Sequence, residues 1–316
     1  NINIKIKDSI FIKRWVYNAV MPIGEKVAGL KLSGKQVPIF WKVLYLVGYL
    51  LLFRALQNSM GLLNGRIFVS GAAPMSQELL RLYHGIGVPV RECFGMTECS
   101  GISVIPQENT FRAGQVGQAI PGIEIKLAPD GEIMLKGDSV FIGYYGSPEQ
   151  TAASFNDEGW LMTGDVGEFT DEGQLKIIDR KKDLIINAYG KNIAPSEIEN
   201  KLKFSPFIKE GIVVGDGRKY LSALIQLELD NVSDWAQENR LAYTTYKSLA
   251  ENSQVKKLIQ AEVDGVNEQL ARVEKIRKFT ILTKELDQDD DEVTATMKVR
   301  RSAVEKKFKQ IIDAMY

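Results

Sequence analysis

Phe94-Gly95-Met96-Thr97-Glu98 decides the fold class of this chain, because it places a hydroxyl and a carboxylate just past a predicted strand, residues 88–94. The carboxyl ends of strands in α/β folds are where ligands bind. A threonine can hydrogen-bond a phosphate oxygen, and a glutamate offers the oxygen ligand that Mg²⁺ prefers. Taken alone, the same five residues can also form an ordinary turn.

Upstream of this segment the sequence predicts a strand, a helix and a second strand. Residues 65–71 form a short buried strand, and Ser76 is a suitable N-cap for a helix over residues 76–84. This succession is typical of α/β proteins. Between strand and helix, Ser70-Gly71-Ala72-Ala73-Pro74 has no bulky side chain, so its backbone can approach a flat ligand closely.

Downstream, residues 115–180 consist of short alternating runs separated by turn signals. This pattern predicts a small antiparallel sheet or barrel. Within it, Thr163-Gly164-Asp165 places a carboxylate after a glycine turn. A carboxylate can accept hydrogen bonds from both hydroxyls of a ribose, and capping of the turn is the simpler alternative.

A separate α+β unit is predicted beyond about residue 183. Pro195 suits the first turn of a helix, a helical stripe of apolar residues runs over positions 255–273, and a last helix follows Lys298. The acidic run at residues 287–292 is interpreted as a solvated loop. The predicted domains are residues 1–180, with an α/β part (1–114) and a small barrel (115–180), and residues 181–316.

The amino-acid composition argues against several classes of function. Lys plus Arg and Asp plus Glu number 40 each in 316 residues, and this balance argues against a nucleic-acid partner, since nucleic-acid-binding domains usually carry a basic excess. The two cysteines, Cys93 and Cys99, cannot build a disulfide framework or a four-ligand zinc site and are predicted to be free thiols.

The longest apolar run, residues 43–53, is shorter than the roughly 20 residues of a bilayer span. It predicts a buried helix, with a membrane-surface helix as the alternative.

The order and spacing of these segments resemble the acyl-adenylate-forming superfamily of AMP-dependent synthetases and ligases, in its long-chain fatty acid–CoA ligase branch. Residues 70–74 are similar to the family's adenine-side turn, residues 94–98 to its phosphate and magnesium motif, and residues 131–145 to its barrel motif. Residues 163–165 resemble the ribose motif, residues 179–199 the interdomain hinge and entry to the small domain, and residues 294–301 the C-terminal lysine motif. The resemblance runs from about residue 60 to the end.

The resemblance implies a fold, a reaction and a set of site residues. The fold would be α/β plus a small β-barrel, followed by a separate small α+β domain. The catalytic residues would be Lys298, Thr97 and Glu98, with Glu98 also the ligand of Mg²⁺. Binding of ATP or AMP and of coenzyme A would involve Ser70, Gly71, Ala72, Ala73, Cys93, Phe94, Gly95, Asp165, Arg180 and Gly190. A fatty acid would be joined to AMP and then to coenzyme A, with the small domain rotating about residues 179–183 between the two steps.

Two departures from the family pattern qualify these expectations. No Ser/Thr/Gly-rich phosphate loop ending in lysine precedes Ser70, so the chain is expected to be the C-terminal portion of a longer enzyme, inactive without its N-terminal half. Cys93-Phe94 stands where many relatives have Gly-Tyr.

The alternatives to a long-chain fatty acid–CoA ligase are an enzyme that adenylates an aryl or amino acid and a non-catalytic nucleotide-binding or assembly protein. The expected location is the cytoplasm, and peripheral membrane contact and a homo-oligomer stay open.

Overall fold

A computed structural model describes residues 10–107, 111–294 and 298–316 of the chain. They divide into two compact units, Asn1–Lys181 and Lys182–Tyr316. The division falls within the segment, residues 179–183, that resembles an interdomain hinge.

Residues 10–64, which are rich in Leu, Val and aromatic residues and carry few turn signals, form mainly two long helices in the first unit. Helix α1 spans Phe11–Leu32, and helix α2 spans Ile39–Ser59 with a π-helical turn at Tyr49–Phe53. Their inner faces share a core that includes Val20 and the fully buried Phe53.

The outer face of α2 corrects the prediction of a buried helix at residues 43–53. It exposes a row of large apolar side chains, the α2 stripe: Ile39, Phe40, Val43, Leu46, Val47, Leu50 and Leu51. By length and composition alone, α2 is also able to cross a membrane. An apolar run looks the same in sequence whether its partner lies inside the unit or outside it, so the sequence could not distinguish the two cases.

The predicted strand–helix–strand unit is confirmed. Strands β1 (Phe68–Ser70) and β2 (Val90–Glu92) pair in parallel, and helix α3 (Gln77–Gly85) connects them, with the Ser76 side chain accepting the Leu79 N–H. His84, on α3, is buried, and its Nε2 lies 2.8 Å from the Val90 carbonyl oxygen. The predicted second strand stops early, however, because the chain leaves this sheet after β2.

The rest of the first unit is antiparallel, as predicted for residues 115–180. Its elements are β3 (Phe94–Met96), β4 (Gly101–Ile105), β5 (Gln118–Ala119), β6 (Ile123–Leu127), β7 (Glu132–Gly137), α4 (Pro148–Ser154), β8 (Leu161–Phe169) and β9 (Leu175–Arg180). Strands β3–β5 form one sheet and β6–β9 another. A bridge between Gly117 and Leu175 connects them, and they share one apolar core. The region predicted as a barrel is therefore a curled antiparallel sheet.

The second unit is α+β. Its elements are β10 (Ile185–Ile186), β11 (Asn192–Ile193), α5 (Pro195–Lys203), β12 (Ile208–Val214), β13 (Leu221–Leu227), α6 (Leu229–Glu238), α7 (Tyr246–Ala250), α8 (Ser253–Glu268), β14 (Ile276–Ile281), α9 (Arg301–Lys307) and α10 (Lys309–Ala314). The main sheet has the order β12-β13-β14. Every residue of β13 is buried, because Ala223 and its alternate neighbours face one core and Leu224 faces the other.

The acidic run forms an exposed turn at residues 287–291, as predicted, but Glu292 at its end is buried and the run pairs with two lysines. Lys307 Nζ lies 2.9 Å from carboxylate oxygens of both Asp290 and Glu292, and Lys284 pairs with the same two side chains. The Glu292 side chain is fully buried. The two lysines are separate from the acidic run in sequence, so its composition alone gave no sign of these partners.

The exposed α2 stripe predicts that this chain self-associates. Contiguous apolar patches of this kind are rare on monomeric proteins and mark interaction surfaces. We expect sedimentation velocity at micromolar concentration to show dimers or larger species, and the variant Leu46→Glu with Leu50→Glu to sediment as a monomer. Gln150→Glu with Ala153→Glu adds the same two charges to exposed positions of α4 and serves as the control. A wild-type chain that sediments as a single monomer would contradict the prediction.

The lysines around Asp290 predict a pH-dependent contribution to stability. Hydrogen bonds from Lys284 and then Lys307 lower the pKa of Asp290 from 3.8 to about 2. Since the pKa is lower in the folded state, the stabilisation is fully present above pH 3.8 and is lost as the pH falls through about 2. Asp290→Asn should therefore lower the melting temperature at pH 6, and the difference from wild type should disappear near pH 2.

The control for this experiment is Asp289→Asn, which removes a neighbouring exposed carboxylate. It should leave the melting temperature close to wild type at both pH values. A deficit in Asp290→Asn that is the same at pH 6 and pH 2 would show that its ion pairs are not the source of the stability.

Candidate functional site

The turn after β1 lies beside the end of β2. Because β1 and β2 are parallel, their carboxyl ends meet at one edge, and the Cys93 N–H donates to the Ser70 carbonyl at 2.8 Å. A Cβ on Gly71 would lie 2.9 Å from the Cys93 Sγ, so a larger residue would strain this contact. Ala72 has φ +69°, and Ala72 and Ala73 are exposed. The structure thus brings the predicted residues of this turn together with Cys93, whose thiol pKa is raised by burial.

Glu92 hydrogen-bonds the backbone that follows this turn, and the sequence analysis did not identify it as a site residue. Its buried carboxylate accepts the Met75 N–H at 2.9 Å, and a backbone hydrogen bond from Gly114 adds to this. Burial raises the pKa of Glu92 despite these donors. The only sequence signal was a carboxylate inside a short strand that otherwise needs apolar residues.

The Phe94–Met96 strand continues into the turn that carries Thr97 and Glu98. A Cβ on Gly95 would lie only 1.8 Å from the Gly101 carbonyl oxygen, so glycine is required for β3 to approach β4. Phe94 is buried in the core of the curled sheet. Thr97 is exposed at the start of a 3₁₀ turn, and Glu98 is half-buried. The two predicted catalytic groups of this unit are therefore adjacent and accessible.

Tyr144 contacts Glu98, and the sequence analysis gave this tyrosine no role in the site. The Tyr144 hydroxyl donates to Glu98 Oε1 at 2.6 Å, and the Phe141 N–H donates to the Glu98 carbonyl at 2.7 Å. The hydrogen bond to Glu98 raises the pKa of Tyr144. Tyr144 lies within residues 131–145, the segment that resembles the family's barrel motif.

The donor set around Glu98 suits Mg²⁺ only together with a phosphate. Among the residues that the structure describes, no three His, Cys, Asp or Glu side chains are grouped to hold a metal ion. Mg²⁺ commonly takes one or two carboxylates and completes its coordination with water and substrate phosphates. A single half-buried carboxylate beside an exposed hydroxyl fits that mode.

Asp165 and Arg180 are opposite each other on β8 and β9. Arg180 Nε lies 3.5 Å from Asp165 Oδ1, and the Asp165 side chain is 16% exposed against 59% for Arg180. Thr163 Oγ1 accepts the Asp165 N–H at 3.1 Å and donates to the Ile133 carbonyl at 2.7 Å. The predicted ribose pair is thus brought together by antiparallel pairing, with a carboxylate held largely inside and a guanidinium at the surface.

A buried glutamate also supports this second turn. Gly164 has φ +73°, and its N–H donates to Glu132 Oε1 at 2.9 Å. The other Glu132 oxygen accepts from Lys181 at 2.7 Å, and Lys181 also pairs with Asp130 at 2.6 Å. Asp130 and then Glu132 raise the pKa of Lys181. Lys181 therefore stays charged and holds the turn from one side.

The second unit carries Gly190 and Lys298. Gly190 has φ +75° and lies three residues after Asn187. The Asn187 side chain accepts the Tyr189 and Lys191 N–H groups at 3.0 Å each. The Lys298 carbonyl accepts the Thr294 N–H at 2.8 Å, and the Lys298 N–H donates to Thr294 Oγ1 at 3.0 Å. Residues 295–297 of the predicted lysine motif lie outside the described residues.

Comparison with protein families gives two matches. The model of the AMP-binding enzyme family matches residues 36–145. The model of the AMP-binding enzyme C-terminal domain matches residues 182–316. Together they cover most of both units.

Curated relatives are long-chain ligases. The chain is 38% identical over 267 residues to the long-chain-fatty-acid–CoA ligase FadD15 of Mycobacterium bovis, covering 84% of this chain and 44% of that protein. It is 30% identical over 332 residues to the human long-chain-fatty-acid–CoA ligase ACSBG2, covering 98% of this chain and 49% of that protein. The chain thus spans about half the length of the curated relatives it matches.

Solved structures share the fold. The A domain of carboxylic acid reductase from Segniliparus rugosus, in complex with AMP and a co-purified carboxylic acid, matches with a TM-score of 0.64 and 20% identity over 96% of this chain and 46% of that chain. O-succinylbenzoate coenzyme A synthetase from Bacillus subtilis, with ATP and a magnesium ion, matches with a TM-score of 0.55 and 28% identity over 75% of this chain and 46% of that chain. The curled sheet and the small α+β unit are thus parts of an adenylate-forming fold. The chain belongs to the AMP-binding enzyme family, the acyl-adenylate-forming superfamily, in the branch of the long-chain fatty-acid–CoA ligases.

Proposed function

We propose that this chain is part of an ATP-dependent long-chain fatty acid–CoA ligase. The observation that carries the proposal is the 38% identity to a long-chain ligase over 84% of the chain, which extends across both units. The geometry supports it, because Thr97 and Glu98 are adjacent and accessible and Asp165 is paired with Arg180.

In the first step, a carboxylate oxygen of the fatty acid bonds to the α-phosphorus of ATP, and the bond to the bridging oxygen of pyrophosphate breaks. The products are acyl-AMP and pyrophosphate. Both reactants are anions, so catalysis is mainly positioning and neutralisation of charge. The ammonium of Lys298 supplies positive charge, and the Thr97 hydroxyl orients the α-phosphate. Asp165 accepts from the ribose hydroxyls, with Arg180 beside it.

Glu98 would hold Mg²⁺, which neutralises phosphate charge when bound. Tyr144 donates to one Glu98 oxygen and leaves the other for the ion. The residues proposed for the adenine side of the nucleotide are Ser70, Gly71, Ala72, Ala73, Cys93, Phe94 and Gly95. The small side chains of residues 70–73 and the close approach of Gly71 to Cys93 suit a flat ring, whereas the Phe94 side chain is buried in the core.

In the second step, the sulfur of coenzyme A bonds to the acyl carbon and the bond from that carbon to the AMP oxygen breaks. AMP leaves with the electron pair. The loop at Gly190, whose backbone is held by Asn187, is the segment proposed to face the thiol. The free cysteines Cys93 and Cys99 fit a reducing compartment, and we place the reaction in the cytoplasm.

A panel of acids tests the substrate class. The full-length protein that carries this chain should release pyrophosphate with ATP, Mg²⁺ and palmitate, and acids of the aryl and amino-acid classes should give little release. Omission of the acid gives the background. Preference for an aryl or amino acid would assign the site to another branch of the superfamily, and no release with any acid would favour a non-catalytic protein.

Lys298→Ala should separate the two steps. In the full-length protein we expect pyrophosphate release to fall by roughly 10²–10³, or about 2.7–4 kcal/mol, by analogy with the loss of an oxyanion-hole donor. Thioester formation from pre-made acyl-adenylate should be nearly unchanged, because the charge of Lys298 is needed only where two anions meet.

The control is Lys306→Ala, which removes an exposed lysine of α9 and should leave both steps at the wild-type rate. Equal losses in the two steps of Lys298→Ala would assign Lys298 a structural role instead.

A further inference from the structure

The Arg301 side chain contacts three parts of the second unit: strand β12, helix α5 and the segment at Asp183. Its Nη1 donates to the Val213 carbonyl at 2.6 Å, and its Nη2 donates to Glu199 Oε1 at 2.6 Å. Its Nε lies 3.9 Å from Asp183 Oδ1. The side chain is 15% exposed, so these contacts form largely out of water, where charged hydrogen bonds are strong.

Glu199 and Arg301 together satisfy the backbone at the open edge of β12. Among the residues that the structure describes, strand β12 pairs only with β13. The Val213 N–H donates to Glu199 Oε1 at 2.8 Å. The N–H and the carbonyl of Val213 are therefore both bound by side chains. Buried backbone groups need such partners, and the planar guanidinium can serve two acceptors at fixed angles.

Arg301 is three residues from Lys298, so its anchor restricts where Lys298 can lie. At the extended limit, three residues span roughly 10 Å. The two residues between them make backbone contacts with residues 292 and 293. Val299 pairs with Val293, and the Arg300 N–H donates to the Glu292 carbonyl at 2.8 Å.

We propose that Arg301 is a positioning residue, which fixes Lys298 relative to Asp183 at the start of the second unit. The proposal rests on the proposed function, in which Lys298 supplies charge to the first step. With the anchor in place, any movement of the segment at Asp183 carries Lys298 with it as part of one body. Without it, the segment that carries Lys298 keeps its contacts with residues 292–294 but is no longer tied to Asp183.

Arg301→Lys tests the proposal in the full-length protein, because lysine keeps the charge and lacks the guanidinium fork. A displaced catalytic group costs up to about a hundredfold. Pyrophosphate release should therefore fall between about tenfold and a hundredfold, while thioester formation from pre-made acyl-adenylate stays within about twofold of wild type. Equal losses in both steps, or no loss in either, would overturn the proposal.

Two further variants sharpen the test. Arg300→Gln removes a neighbouring arginine that pairs with the exposed Asp291, and it should leave both steps unchanged. Asp183→Asn keeps both hydrogen bonds of Arg301 and should therefore fold normally. It should reduce only the first step, by less than Arg301→Lys. An unchanged first step in Asp183→Asn would remove Asp183 from the anchor.

Hydrogen exchange of the 316-residue chain tests the anchor without activity. In Arg301→Lys, amide exchange at residues 298–301 and at Val213 should rise at least about tenfold, while exchange in α8 stays at the wild-type rate. A uniform rise across the second unit would show a general loss of stability and overturn the proposal. If the wild-type full-length protein releases no pyrophosphate with any acid, the proposed function fails, and the exchange result still decides whether Arg301 anchors Lys298.

Discussion

A buried carboxylate that accepts a backbone N–H supports three of the segments that bear on the proposed site. Glu92 holds the turn after β1 through Met75, and Glu132 holds the turn at Gly164. Glu199 holds the edge of β12 to which Arg301 is bound. Turns and strand edges leave backbone groups without partners in a ladder, and a buried carboxylate satisfies them more strongly than a neutral acceptor would.

The three glutamates differ in how their charge is balanced, and this difference has consequences. Glu132 faces Lys181 and Glu199 faces Arg301, each at 2.7 Å or less. The contacts of Glu92 that the structure gives are backbone N–H groups, and burial raises its pKa. Burial raises the pKa of Glu199 as well, and the charge of Arg301 opposes that rise, so removal of the arginine would leave the buried carboxylate without its partner. The turns at Gly164 and at Lys298 are thus set before a ligand arrives, which reduces the ordering cost of binding.

The second unit shows how the sheet directs these contacts. Strand β13 is buried on both faces, so the helices on each side pack against alternate residues of the same strand. The chain after β14 returns to the edge of β12 through Arg301. Lys284 and Lys307 pair with the acidic run at the exposed Asp290 and at the buried Glu292. The C-terminal segment is therefore held by charge pairs at its beginning and by apolar packing at Val304.

The sequence by itself determined the local elements, the turns and the family. The N-cap at Ser76 and the alternating runs of the curled sheet are local patterns, and local patterns reflect backbone preference and one-sided burial. The pairing of Asp165 with Arg180 was accessible through the resemblance, because both stand in motifs of one hairpin. Only the tertiary structure decided the contacts between distant residues.

Tyr144 reaches Glu98 across 46 positions, and Arg301 reaches Glu199 across 102. No periodicity encodes such a distance, because it depends on how the sheets and helices pack. For the same reason the outward face of α2 could not be predicted. Whether an apolar side chain is buried depends on what packs against it, and the sequence of a helix does not specify which surface that is.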